Sequence, residues 1–208
     1  MTNELPNLII LAGPNGSGKT TFASLLSEHL WGKDCLNLNA DLLAEKLGGW
    51  NDESCIRIAQ KQIRDTLHAA LNERKNIIYE TVFSHPSKLD IIRKARDLGY
   101  FIRLFFICTE SPRINVDRVA ERFAKGGHTV PGKKIGERYN RALMYGAEAM
   151  RLVQRGYLYD NSLSASPNRD SFKLIFRTMN GKNYKLYLPF DSLPSTYSYF
   201  LSDFIQPE

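Results

Sequence analysis

The chain has 208 residues, enough for one domain with a sizeable core, and its 43% hydrophobic and 24% charged content is that of an ordinary globular protein. No apolar run approaches the length of a bilayer span, and the start, MTNELPN, lacks the basic and apolar regions of a signal peptide. Membrane and secreted classes are therefore set aside, and a cytoplasmic protein is expected. The net charge is +6, and ten basic residues against four acids between Pro112 and Arg155 account for all of it. Such a local excess suits an anionic partner: a nucleotide, a phosphorylated metabolite or nucleic acid. A solvated helical surface laced with ion pairs is the alternative.

In chain order, Leu8 to Ala12 reads as a short buried strand, and Thr20 to Leu30 as a helix with Phe22, Leu25, Leu26 and Leu30 on one face. Cys35 to Asn39 is a second strand. Asp41 to Leu47 and Ile56 to Leu71 are helical, interrupted by GGWND. Asn76 to Tyr79 is a third strand, Pro86 to Leu98 a helix closed by Gly99, and Tyr100 to Cys108 a fourth strand. Alternation of this kind predicts an α/β fold with a mainly parallel sheet and helices on both faces. Arg113 to Ala124 and Lys133 to Gln154 are two further helices, separated by a turn or mobile loop, GGHTVPG. YLYDN, from Tyr157, is a fifth strand. SFKLIFRTM and NYKLYLP then flank Asn180-Gly181, a strong hairpin signal. The expected division is a core over 1–162, with a helical lid at about 112–155, and a C-terminal hairpin extension over 163–208 packed on it.

The residues Gly13, Pro14, Asn15, Gly16, Ser17, Gly18, Lys19 and Thr20 satisfy the full phosphate-loop pattern, between an apolar strand and an amphipathic helix. Glycines let backbone N–H groups converge and let phosphate come close, and the helix N-terminus adds positive charge. This predicts a P-loop nucleotide-binding protein and leaves kinase, ATPase and GTPase open. Lys19 is positioned for the β- and γ-phosphates, and Thr20 for Mg²⁺. Thr21 completes the segment.

Asp41 follows the second strand, on the sheet edge where ligands collect. It is either the base that takes a proton from an acceptor hydroxyl or the N-cap of its helix. Glu80 follows the third strand and is the better candidate for holding Mg²⁺, with Glu110 after the fourth strand as the alternative. Arg118 and Arg122 lie four apart on one helical face and form a candidate phosphoryl clamp, or else pair with Asp117 and Glu121. Arg138 and Arg141 are similar candidates, and His128 sits in a loop able to close over nucleotide. His29, His68 and His85 have no metal-ligand spacing. Cys35, Cys55 and Cys108 form no cluster, and Cys35 and Cys108 are expected to be buried free thiols.

GPNGSGKTT, the Asn39–Asp41 pair, the Tyr79-Glu80-Thr81 triplet and RVAERFAKGGHTVP from Arg118 to Pro131 resemble, in combination and order, the zeta-toxin-like P-loop kinases, in particular a small bacterial ATPase or kinase branch. The likeness runs from about Leu8 to Asn161. It implies a nucleoside-kinase-like fold and ATP- or GTP-dependent phosphorylation of a hydroxyl, with a UDP-amino sugar as the acceptor best known in the family and an antitoxin protein as a possible partner. By position, Asp41 resembles the family's base, Glu80 the acid after the third strand, and Arg122 one lid arginine. The second lid arginine has no clear counterpart: His128 falls near it, and Arg118 or Arg138 could compensate. A polynucleotide kinase, reading the basic segment as a strand-binding surface, is the competing expectation.

Overall fold

Residues Leu8 to Ala12 are all fully buried, which requires a central strand covered on both faces. They belong to β1 (Asn7–Ala12), whose alternate residues feed two cores: Leu8, Ile10 and Ala12 enter one, Ile9 and Leu11 the other. The computed structural model describes residues 5–27, 29–49, 52–127, 130–163 and 171–205. Parallel to β1 lie β2 (Leu36–Asn39), β3 (Ile77–Thr81), β4 (Phe101–Cys108) and β5 (Arg155–Asp160). Two antiparallel strands, β6 (Lys173–Met179) and β7 (Asn183–Leu186), continue the sheet in the order β2-β3-β1-β4-β5-β6-β7. The order reverses around β1, so the loop leaving β1 opens at the crevice where an α/β sheet binds ligands.

The hairpin signal is borne out: Asn180 and Gly181 both take positive φ, 53° and 64°, as a twist-matched turn between right-twisted strands requires. The hairpin is an integral part of the sheet, since β6 pairs with β5 along most of its length.

The helices are α1 (Lys19–Ser27), α2 (Ala40–Lys46), α3 (Glu53–Asn72), α4 (Ser87–Asp97), α5 (Pro112–Ala124), α6 (Gly132–Leu152) and α7 (Ser195–Leu201). The first ends three residues earlier than expected, and a 3₁₀ turn, Leu30–Gly32, follows. No element is expected after the hairpin, yet α7 forms there. Its seven residues, STYSYFL, carry little helical signal of their own; burial of Tyr197, Phe200 and Leu201 against the main core stabilises it, with Phe200 packed on Phe106.

Helices cover the two sheet faces unequally. The main core collects apolar side chains of α3, α4, α6 and α7 on one face. On the other, α1 packs over β1, β3 and β4, and Trp31 reaches Phe105. Val116 and Val119 of α5 form a separate small cluster with Val130 and Ile135. Cys108 is buried as expected, whereas Cys35 precedes β2 and is only half-buried, because that strand lies at the sheet edge. Among the described residues no helix is long and apolar enough to cross a membrane.

Candidate active site

The loop from β1 to α1 doubles back tightly, and close neighbours fix its shape. At Gly13 (φ 143°) a Cβ would stand 1.9 Å from the Ile107 carbonyl oxygen, and at Gly18 (φ 97°) 2.4 Å from Asn161 Nδ2. Neither position admits a side chain. Asn115 Nδ2 donates to the Asn15 carbonyl at 2.6 Å, and Asn161 Nδ2 donates to the Ser17 carbonyl at 2.9 Å. The loop is therefore held from α5 and from the end of β5. Asn115 in turn bonds Thr109 at the end of β4. Pro14 and Gly16 complete the bend, where Ser17 N–H donates to the Pro14 carbonyl at 3.3 Å.

Lys19, the first residue of α1, folds over the loop and donates from Nζ to the Pro14 carbonyl at 2.9 Å, leaving it 8% exposed. Burial lowers its pKa; Glu80 and Asp41 oppose that shift, and Arg122 adds to it. Thr20 Oγ1 donates to Glu80 Oε1 at 3.0 Å, and Asn39 Nδ2 donates to Glu80 Oε2 at 2.8 Å. Burial raises the Glu80 pKa; Lys19 and the Thr20 bond hold it down, Asp41 pushes it up, and the Asn39 bond lowers it. Lys19, Thr20, Asp41, Glu80 and Arg122 thus share one electrostatic neighbourhood at the C-terminal edge of the sheet.

Asp41 is not the cap of its helix. Asn39 is, accepting on Oδ1 from the N–H groups of Asp41 and Leu42 at 2.9 and 3.2 Å. The Asp41 carboxylate projects from the first turn of α2, exposed and beside the lysine and glutamate. Glu110 lies elsewhere: its N–H donates to Ser162 Oγ, its carbonyl accepts from Thr196, and its side chain is exposed. Thr21, half-buried, follows Thr20 in α1.

The two arginines expected to act as a pair diverge. Arg122 is exposed on α5 near Lys19. Arg118 is half-buried and turns to the end of β5, where Nη2 donates to the Ser162 carbonyl at 3.4 Å; burial lowers its pKa against the pull of Asp160 and Glu121. Arg141 donates to the Ser84 carbonyl at 3.2 Å, and Arg138 makes no hydrogen bond or ion pair among the described residues. His128 and Thr129 lie outside the described residues.

These residues fit a nucleotide triphosphate with a divalent cation. The Lys19 ammonium is buried with one carbonyl, and Asn15 Oδ1 and Ser17 Oγ are buried with no hydrogen-bond partner among the described residues. The first N–H groups of α1 have no intrahelical acceptor. Thr20 and Glu80 offer the hard oxygen donors that Mg²⁺ takes, and one or two protein ligands suffice for Mg²⁺ beside phosphate. No cluster of three His, Cys, Asp or Glu side chains occurs among the described residues.

Sequence reading missed Asn115 and the reach of Asn161. The available signal for Asn115 was a lone amide one turn before Val119 on the buried side of α5.

A glycine loop pinned at a sheet's switch point, a buried lysine behind it and a Thr–Glu pair beside it define the class: a P-loop protein of the nucleotide-binding type. The chain belongs to the zeta toxin family, whose sequence model matches residues 1–161. An uncharacterized protein of Haemophilus influenzae is 24% identical over 131 residues, 63% of this chain and 91% of that one. Among solved structures, the PezAT chromosomal toxin-antitoxin system of Streptococcus pneumoniae matches with a TM-score of 0.62 at 14% identity, covering 100% of this chain and 81% of that chain. The AvrRxo1-ORF1:AvrRxo1-ORF2 complex matches at 0.60 and 15%, covering 89% and 62%. The Pnkp1/Rnl/Hen1 RNA repair complex matches at 0.57 and 21%, covering 71% and 47%. At these identities the structural matches establish a common fold.

Proposed function

We propose that this protein transfers the γ-phosphoryl group of ATP, or of GTP, to a hydroxyl of a small anionic acceptor. The observation that carries the reading is the convergence of Lys19, the hydrogen-bonded Thr20–Glu80 pair and the uncapped Asp41 on one edge of the sheet. The loop N–H groups and Lys19 bind and orient the phosphates. Thr20 and Glu80 would hold Mg²⁺, which spreads phosphate charge when bound. Asp41 accepts the acceptor's hydroxyl proton as that oxygen bonds to the γ-phosphorus and the bridging oxygen of the nucleoside diphosphate leaves. Arg122 stabilises the negative charge on the transferring group.

Membership of the zeta toxin family supports a UDP-amino sugar as the acceptor to test first, and an antitoxin protein as a partner. The purified protein is incubated with γ-labelled ATP, Mg²⁺ and a pool of UDP-sugars, free nucleotides and short oligonucleotides, and labelled products are identified by mass spectrometry. A phosphorylated UDP-amino sugar supports the full reading. A phosphorylated oligonucleotide replaces it with polynucleotide kinase activity. Absence of any phosphorylated acceptor, with only free phosphate released, counts against small-molecule kinase activity on this pool.

A further inference from the structure

The face of the sheet that α1 leaves open carries a second concentration of positive charge, outside the phosphate loop. Strand register places Phe105, Tyr157, Arg177 and Lys185 in one row across β4 to β7, and Arg103, Arg155, Met179 and Asn183 in the next. Around Arg155, Tyr157, Arg177 and Lys185 the face is concave, with a cavity of about 400 Å³. Arg103 therefore stands directly across from Arg155, and Arg177 from Lys185. Like charges opposite one another destabilise a sheet. Among the described residues none of the four forms an ion pair, although six ion pairs form elsewhere. Asp34, beside Cys35, borders the Arg103 end and pairs with no described cation.

Flat rings lie between these charges. Tyr157 stacks on Phe105 with centroids 4.9 Å apart and planes 10° apart, and the Arg103 guanidinium lies 4.7 Å from the ring centre of Trp31, itself 39% exposed. Arg103 is held within the fold, by Asn7 Oδ1 and between the rings of Trp31 and Phe101, whereas Arg155, Arg177 and Lys185 present opposed charge that attracts an external polyanion. Rings set among cations on a sheet surface suit a polyanion that also carries flat bases. The rows run across the strands from β4 to the free edge at β7, giving an elongated track.

We propose that this open face binds single-stranded nucleic acid, with Arg155, Arg177 and Lys185 on the phosphates and Tyr157 and Trp31 against the bases. The face is built from the first half of β5 and the hairpin, whereas the phosphate loop lies at the opposite, C-terminal ends of the parallel strands. The assignment therefore stands independently of the transfer reaction.

The test is fluorescence anisotropy of a labelled single-stranded oligonucleotide of about 15 nucleotides, titrated with full-length protein between about 50 and 200 mM salt. The wild type is expected to bind with a salt-dependent Kd. Arg177→Gln with Lys185→Gln, both on exposed positions, weakens binding about tenfold and lowers the salt slope by about 1.4, the share of two phosphate contacts. Tyr157→Leu weakens the strand without weakening polyglutamate. Lys133→Gln with Lys134→Gln, in the basic lid, changes Kd less than about twofold. Circular dichroism and ATP binding confirm that each variant is folded. No binding by the wild type, loss in the lid variant without loss in the hairpin variant, or equal competition by polyglutamate each overturns the proposal, the last in favour of an acidic polypeptide.

Discussion

Asn161 Nδ2 donates a 2.9 Å hydrogen bond to the carbonyl of Ser17, joining the end of β5 to the phosphate loop across 144 positions of the chain. Its own N–H donates to the Cys108 carbonyl, so the amide is fixed to β4 before it reaches the loop. Asp160, the preceding residue, accepts from Tyr197 of α7 and from Ser162. The glycine loop between β1 and α1 is thus braced by the strand that follows α6, and that strand end by the C-terminal helix.

Removing this brace leaves a buried carbonyl without its donor, at a cost of about 1–3 kcal/mol. Asn161→Ala is therefore expected to lower the melting temperature by several degrees and to raise KM for ATP about tenfold while changing kcat less. Thermal denaturation and steady-state kinetics check this. An unchanged KM would show that the loop keeps its shape without Asn161.

Glu80 is held where burial raises its pKa. An acid with a raised folded-state pKa binds more protons folded than unfolded, so stability falls as pH climbs from the ordinary carboxylate value through the raised one, and stays reduced above it. Glu80→Gln removes that penalty. The ligand-free variant is expected to melt higher than the wild type near neutral pH, with the two curves converging at acid pH, while Mg²⁺ stabilises the wild type and not the variant. Melting temperatures with and without Mg²⁺ across pH test this, and parallel curves would mean that the carboxylate is not strained.

Asp41 and Lys19 separate chemistry from binding. With Asn39 capping α2, Asp41 is free of a structural role in the helix start. Asp41→Asn is expected to retain ATP binding and lose about 10²- to 10⁴-fold in kcat. Lys19→Ala is expected to lose transfer with little loss of folding, since it removes a buried ammonium whose burial already disfavours its charge. Calorimetric ATP titration beside turnover measurements separates the two. Near-normal transfer by Asp41→Asn would remove it from the base position.

Much of this arrangement was legible in the sequence because it is local. The glycine spacing, the apolar strand before it and the acids at the C-terminal ends of β2 and β3 are patterns within a few residues. What was hidden is what distance conceals. Nothing near Asn115 or Asn161 announces a bond to residues 100 or 144 positions away. The helix α7 exists through burial of Tyr197 and Phe200, which no periodicity in seven residues reveals. At Asp41 the cap is excluded by a neighbour, Asn39, whose side chain serves both the helix and Glu80. Spacing placed Arg118 and Arg122 on one face, but Arg118 bonds the Ser162 carbonyl at the end of β5 while the charge of Arg122 is felt at Lys19.

That divergence yields the last prediction. Arg122 is exposed on α5 and close enough to Lys19 to lower its pKa, so its charge reaches the loop proposed to hold the phosphates. Arg118 packs half-buried against the Ser162 carbonyl near Asp160, where it ties α5 to the brace of the phosphate loop. Arg122→Ala is expected to cut kcat by about 10²- to 10³-fold, the cost of removing one donor to developing charge. Its stability should change by no more than about 0.5 kcal/mol, as for an exposed substitution. Arg118→Ala is expected to lower stability by about 1–3 kcal/mol and to move kcat much less. Urea denaturation and kcat measured on both variants decide the matter: a reversed pattern would transfer the charge-stabilising role to Arg118 and make Arg122 the tie.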